Sequence, residues 1–244
     1  RTDGFHELAM VMQSINLSDQ LKMINSADHN ITLKSNNNEI TNGDDNLIIK
    51  AAKLLRNKVG NKKLGVDIEL KKNIPIGAGL AGGSADAAAT LVGLNKLWNL
   101  NLEIKELEEL SKEIGSDIPF CICGGRQICF GRGEVLEKLK CNKVNTGIIL
   151  VKDPSIQIST PFAYKKYKEE YGYTYLQNDR DFEKKRNIIR SFDWSDQSVF
   201  DNRSEIQNDL QKTVCPMEPK VEKALKMLSG LPGAHLVSMS GSGP

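Results

Sequence analysis

The hydrophobic rhythm of the chain changes repeatedly, and each change marks an element. Residues 6–23, "HELAMVMQSINLSDQLKM", alternate apolar and polar positions, break at a polar loop and alternate again, which predicts two strands. "HNITLKS" predicts a third strand, and "NNNEITNGDDN" a polar loop with an Asn-Gly turn. The rhythm turns helical in "NLIIKAAKLLRNKVG". There Leu47, Ile48, Ala51, Leu54 and Leu55 form one apolar face, and Gly60 stops it. Val66, Ile68 and Leu70 alternate in "LGVDIELKKNIP", a strand running into a glycine-rich loop. From about Ser84 to Trp98, the residues Ala87, Leu91, Leu94 and Trp98 recur at helical spacing as one buried stripe. "LEIKELEELSKEIG" is a further helix closed by Gly115, and "RQICFGRGEVLEKL" reads as strand, glycine turn, strand.

A second part begins near residue 145, where "NTGIILVKDPSIQIS" predicts a strand entering a new segment. Two domains are therefore expected, residues 1–145 and 146–244. "STPFAYKKYKEEYG" is a helix with Thr160 as N-cap and Pro161 in the first helical position. The polar stretch "LQNDRDFEKKRNIIRSFDWSDQSVFDNRSEIQNDLQ" predicts modest helices, and "MEPKVEKALKMLSG" a clear one. "GAHLVSMSGSGP" predicts a strand entering a second Gly-Ser turn. No sequence repeat is present, and the mixed order makes the class α+β.

Composition narrows the function. The 244 residues are 39% hydrophobic and 26% charged, an ordinary globular balance. With 33 basic against 31 acidic side chains the net charge is +2, too even for a nucleic-acid binder but no obstacle to a small anionic ligand. No apolar run approaches the about 20 residues that cross a bilayer, and no signal peptide is visible. The first residue is Arg1 and the last residues, "SGSGP", stop in mid-motif, so both ends are expected to lie inside a longer protein. The five cysteines, Cys121, Cys123, Cys129, Cys141 and Cys215, suit a reducing compartment. "CICGGRQIC" fits no common zinc spacing, and the expectation is buried reduced thiols in strands around a Gly-Gly turn.

The candidate chemistry lies in "NIPIGAGLAGGSADAAATL". Gly77, Gly79, Gly82 and Gly83 permit backbone angles that a side chain forbids and let main-chain amides approach a ligand. Ser84 is a good N-cap, and the helix behind it offers free N–H groups and a positive dipole end. That combination binds phosphate without a lysine in the loop. The plainer alternative is a small-residue turn that lets a helix pack tightly on a strand.

At Pro75–Ala85, "PIGAGLAGGSA", the sequence resembles the nucleotide loop of the GHMP kinases. "RTDGFHEL" at Arg1–Leu8, "GSDIPF" at Gly115–Phe120, "GRGE" at Gly131–Glu134 and "MSGSGP" at Met239–Pro244 follow in the order found in one branch of that superfamily. That branch acts on a cytidine-diphosphate alcohol in the non-mevalonate isoprenoid pathway. The likeness runs nearly end to end and is weakest between Gln177 and Gln207. It implies an α+β, two-domain GHMP kinase fold: an N-terminal domain like domain 2 of ribosomal protein S5 and a C-terminal α/β sandwich, truncated at both ends. It also implies a cytoplasmic, ATP-dependent kinase that uses Mg²⁺ with its nucleotide. The substrate would be a small molecule phosphorylated at its C2 hydroxyl, with no nucleic-acid or membrane partner. Two alternatives stay open: another GHMP small-alcohol kinase, and a non-catalytic nucleotide-binding regulator on the same fold.

The resemblance assigns ATP binding to Pro75, Ile76, Gly77, Ala78, Gly79, Leu80, Ala81, Gly82, Gly83, Ser84 and Ala85. Ala81 stands where the family often has glycine. Asp117 matches the family's catalytic Asp; its plainer role is an N-cap for the following helix. The Lys that partners this Asp in the family lies in a strand before "RTDGFHEL". The resemblance names no metal ligand in this chain. His6 matches a cytosine-reading His. Phe5, where the family commonly has Tyr, and Tyr164 are candidates to sandwich the cytosine ring. Tyr164 also shares a helix face with Tyr167 and Tyr171, which fits packing equally well. Lys50, Lys53, Lys71 and Lys72 flank the loop in sequence, and most of them are expected on solvated faces.

Overall fold

A computed structural model describes residues 1, 3–139 and 146–243 and divides the chain into two compact units. The first comprises residues 1–76 and 81–138, the second residues 77–80 and 139–244. The expected boundary near residue 145 and Cys141 lie outside the described residues.

The first unit holds two three-stranded sheets. In one, β1 (Leu8–Gln13) pairs antiparallel with β5 (Arg126–Gly131), which pairs antiparallel with β6 (Val135–Lys138). In the other, β4 (Val66–Lys71) lies between β2 (Gln20–Asn25), antiparallel, and β3 (Ile31–Ser35), parallel. Strict alternation buries Val66, Ile68 and Leu70 of β4 and exposes the residues between them, as a strand with one face on a core requires.

The helices of this unit are α1 (Leu47–Lys58), α2 (Gly82–Leu97), α3 (Ile104–Ser111) and α4 (Ile118–Cys123). Asn46 caps α1 by accepting the Ile48 amide, and Glu103 and Glu106 close a capping box on α3. The expected stripe on α2 is fully buried, with Ala87, Leu91 and Leu94 at no more than 0% exposure and Trp98 at 8%. It packs with Ile48, Leu55, Ile68 and Leu107 in one continuous core. Three expectations are corrected here. Helix α2 starts at Gly82 rather than near Ser84. Cys121 and Cys123 sit on a short helix, not a strand, because Pro119 fixes φ in its first turn and Gly124, at φ 65°, ends it. Cys123 is exposed rather than buried.

The second unit contains α5 (Thr160–Tyr171), α6 (Asp179–Ser191), α7 (Asp196–Asp201), α8 (Gln211–Met217) and α9 (Pro219–Ser229), with one 3₁₀ turn at Gly172–Thr174. Its small core joins Ala163, Leu210, Val214, Val221 and Met239. Ser159, not Thr160, caps α5: its hydroxyl accepts the Phe162 amide, which puts Thr160 first in the helix and Pro161 second. No strand forms among the described residues of this unit, so neither "NTGIILVKDPSIQIS" nor "GAHLVSM" adopts its expected conformation. Ile148, Ile149, Leu150 and Val151 are all exposed. An apolar run becomes a strand only when a neighbour supplies the ladder, and none stands beside it among the described residues.

Candidate functional site

The glycine loop leaves β4 at Lys72 and enters α2 at Gly82. Gly77 and Gly79 adopt the left-handed region, at φ 62° and 63°. Gly82 and Gly83 do not; they are the first two residues of the helix. Gly82 is required for space: a Cβ there would meet Ile74 Cγ2 at 2.9 Å and Lys72 Nζ at 3.1 Å. Ala81 occupies the N-cap position at φ 51°, left-handed and without a side-chain cap bond. Glycine would take that conformation with less strain. Ser84 is therefore the third helical residue and not the cap. The first intrahelical bond runs from the Ala85 amide to the Ala81 carbonyl, at 2.9 Å. Among the described residues nothing accepts the amides of Gly82, Gly83 and Ser84. These donors at the positive end of a 16-residue helix are suited to an anion.

Beneath that helix start lies a buried ionic cluster missing from the sequence analysis. Lys72, one of four flanking lysines expected mostly on solvated faces, is enclosed, with its side chain 5% exposed. Its Nζ donates to Asp19 Oδ2 at 2.5 Å and to Asp86 Oδ2 at 2.7 Å. Asp19 Oδ1 also accepts the amides of Asn73 and Ile74, at 2.5 and 2.8 Å. Asp86 Oδ1 is buried without a hydrogen-bond partner among the described residues. Burial pushes the Asp86 carboxyl up to about 6; the Lys72 ammonium opposes this and the Asp19 charge adds to it. Burial also works on Asp19, but Lys72 and the two amides outweigh it and hold that carboxyl below its ordinary value. One signal could have revealed Lys72. The alternation through Val66, Ile68 and Leu70 carries residue 72 onto the inward face.

The pairing of β1 with β5 unites motifs far apart in sequence. Leu8 stands opposite Gly131, so "RTDGFHEL" meets "GRGE". The Gly131 amide donates to Glu7 Oε1 at 3.3 Å, and Arg1 Nη1 donates to Glu7 Oε2 at 2.8 Å. The Phe5 ring is half exposed, and the Arg132 guanidinium lies 5.1 Å from its centroid, covering one face. His6 is half-buried beside it. At the tip of the hairpin Gly133 runs at φ 111°, and a Cβ there would stand 3.5 Å from Asp117 Oδ1. The "GRGE" turn thus stands beside Asp117 of "GSDIPF".

Asp117 holds the N-cap position of α4, yet its side chain makes no cap hydrogen bond. The plainer capping role is therefore absent. Burial alone raises its carboxyl above the ordinary 3.8. The neighbouring thiols are inert: burial, with the Asp117 charge second, pushes Cys121 and Cys129 up to about 12.

Within the second unit, the turn at residues 239–243 packs on residues 77–80. Ser240 Oγ donates to the Gly79 carbonyl at 2.7 Å. A Cβ on Gly79 would lie 2.1 Å from the Ser240 carbonyl oxygen, so the two backbones touch directly. Asn208 Nδ2 donates to the carbonyls of Met239 and Gly241 at 2.9 and 2.7 Å, and Thr160 and Ser242 share a hydroxyl contact at 2.8 Å. Tyr164 is half-buried against this unit's core, and the rings of Tyr167 and Tyr171 lie tilted by 31° with centroids 5.1 Å apart.

A model of the GHMP kinases N terminal domain matches residues 46–125. The 4-diphosphocytidyl-2-C-methyl-D-erythritol kinase of Prochlorococcus marinus (strain NATL2A) is 78% identical over 244 residues, covering 100% of this chain and 76% of that protein. The protein of the same name from Synechococcus sp. (strain CC9605) is 49% identical over 100% of this chain and 80% of its own length. Among solved structures, a 4-(cytidine 5'-diphospho)-2C-methyl-D-erythritol kinase aligns with a TM-score of 0.70 at 26% identity, over 100% of this chain and 81% of that one. The Methanococcus jannaschii mevalonate kinase aligns at 0.59 with 14% identity, over 99% and 82%, a likeness of fold alone.

Proposed function

The chain belongs to the 4-diphosphocytidyl-2-C-methyl-D-erythritol kinases, within the GHMP kinases, and from that premise we propose how its residues divide the work. The reaction phosphorylates the C2 hydroxyl of 4-diphosphocytidyl-2-C-methyl-D-erythritol, with ATP as donor, in the non-mevalonate isoprenoid pathway. Phosphoryl transfer asks a protein mainly for positioning and for neutralising charge. The amides of Gly82, Gly83 and Ser84, with the residues of the Pro75–Ala85 loop, hold the triphosphate. Their lack of partners among the described residues supports this. Asp117 orients the C2 hydroxyl and takes its proton as the hydroxyl oxygen bonds to the γ-phosphorus and the bond to the β–γ bridging oxygen breaks. Desolvation makes its carboxylate a better proton acceptor than an ordinary one. Phe5 offers a face for the cytosine ring and His6 an edge.

Mg²⁺ accompanying ATP is part of this proposal. Among the described residues no group of three or more His, Cys, Asp or Glu side chains could hold an ion. The ion would be carried by phosphate oxygens and water and would offset phosphate charge. A cytoplasmic location is also proposed. It is supported by free thiols at Cys121, Cys123, Cys129 and Cys215.

The observation that carries the catalytic assignment is the Asp117 carboxyl, uncapped and desolvated beside the "GRGE" turn. Asp117→Ala in the full-length protein is expected to abolish turnover and leave ATP binding nearly intact. Retention of more than a few per cent of activity would contradict the assigned role. Faster turnover of homoserine or mevalonate than of the cytidyl substrate would favour the more general small-alcohol kinase.

A further inference from the structure

The Lys72 cluster belongs to no step described so far, yet it touches both ends of the nucleotide loop. Asp19 accepts the amides of Asn73 and Ile74, where the loop leaves β4. Asp86 belongs to α2, one turn past its start, where the loop ends. Lys72 Nζ joins the two carboxylates and sits directly under Gly82, the residue that opens the helix. All three side chains are at most 5% exposed. Stability alone gives no reason for this arrangement. Burying charges is costly, and well-packed apolar residues of similar volume often stabilise as well or better. An ionic bridge does supply what an apolar contact lacks, a fixed distance and direction between its partners.

We propose that Lys72 is a positioning residue for ATP: by bridging Asp19 to Asp86 it sets the span between the ends of the glycine loop, and so aims the amides of Gly82, Gly83 and Ser84. This rests on the reading that those amides hold the triphosphate. The substrate hydroxyl and the cytosine are not its concern. The tie acts through a hydrogen bond to the residue-86 side chain, so an acceptor oxygen there should suffice even without a charge.

The test uses the full-length enzyme. Calorimetric titration with Mg²⁺ and a non-hydrolysable ATP analogue gives affinity, and steady-state kinetics give separate KM values for ATP and the cytidyl substrate. Lys72→Met and Asp86→Ala are each expected to weaken analogue binding at least tenfold and to raise KM for ATP in parallel, with KM for the cytidyl substrate within twofold of native. Asp86→Asn, which keeps an acceptor in place, should stay within threefold of native on every measure. The proposal is overturned if Lys72→Met binds the analogue with native affinity. Should that variant fail to fold, Asp86→Ala decides on the same criterion. It is equally overturned if Asp86→Asn is as weak as Asp86→Ala, or if both KM values rise together. A native enzyme that binds the analogue but does not phosphorylate the cytidyl substrate would refute the assigned reaction instead, and leave the calorimetry able to judge Lys72.

Discussion

Asp86→Asn should make the protein more stable at neutral pH, although it removes half of a buried ion pair. The Asp86 carboxyl titrates at about 6 in the fold against an ordinary 3.8. The folded protein therefore binds this proton more tightly than the unfolded chain does. The resulting stability is full below the ordinary value and is lost as pH rises through about 6. A displacement of roughly two units at about 1.4 kcal/mol each puts the loss near 3 kcal/mol above pH 7. Asparagine imitates the protonated acid at every pH, so it should escape that loss. Lys72 would not be stranded, because Asp19 remains 2.5 Å away. Asp19 has the opposite shift and acts only on the acid side, so it leaves the neutral range untouched. Urea unfolding of both proteins without nucleotide, from pH 4.5 to 8, measures this directly. The advantage of Asp86→Asn should already be about 1 kcal/mol at pH 4.5, grow up to pH 6 and level off at about 3 kcal/mol. A difference that does not vary with pH, or an asparagine protein less stable at pH 8, would refute the reasoning.

Other outcomes follow from single positions. Ala81→Gly should stabilise by about 0.5–1 kcal/mol, since Ala81 holds φ 51°; thermal unfolding measures it. Gly79→Ala should destabilise the second unit by at least about 2 kcal/mol, because its Cβ would sit 2.1 Å from a carbonyl oxygen at φ 63°; the test is a lowered unfolding midpoint. Phe5→Ala should raise KM for the cytidyl substrate by about tenfold and leave KM for ATP unchanged, as the loss of one stacking face predicts. The acid limb of kcat/KM for the cytidyl substrate against pH should fall at a pH above the ordinary carboxylate value of 3.8, since burial raises Asp117 in the free protein.

Much of the first unit was legible in the sequence because each element there announces its own period. The β4 alternation, the α1 face and the α2 stripe need no partner to be recognised; the first and last lie where expected, and the α1 face does too except that Ile49 and Ala52 are buried in place of Leu54. Asp117 could be found through its motif. Its lack of a cap bond could not, since that depends on a side-chain direction. Ser84 misled for a local reason: helical φ at Gly82 and Gly83 moved the helix start back two residues. The Lys72 cluster escaped because its partners lie 53 and 14 residues away, and a lysine after a strand ordinarily reaches solvent. The run at residues 147–151 escaped for the opposite reason. Its apolar content is local, but strand formation is a property of two segments.

The contact between Gly79 and Ser240 ties the evolution of two segments 161 residues apart. Neither backbone can acquire a larger neighbour without displacing the other. Random libraries that vary residues 77–80 alone should return few active clones, whereas libraries that vary them jointly with residues 239–243 should recover paired solutions. Polymorphism surviving in one stretch ought to be matched, clone by clone, in its counterpart.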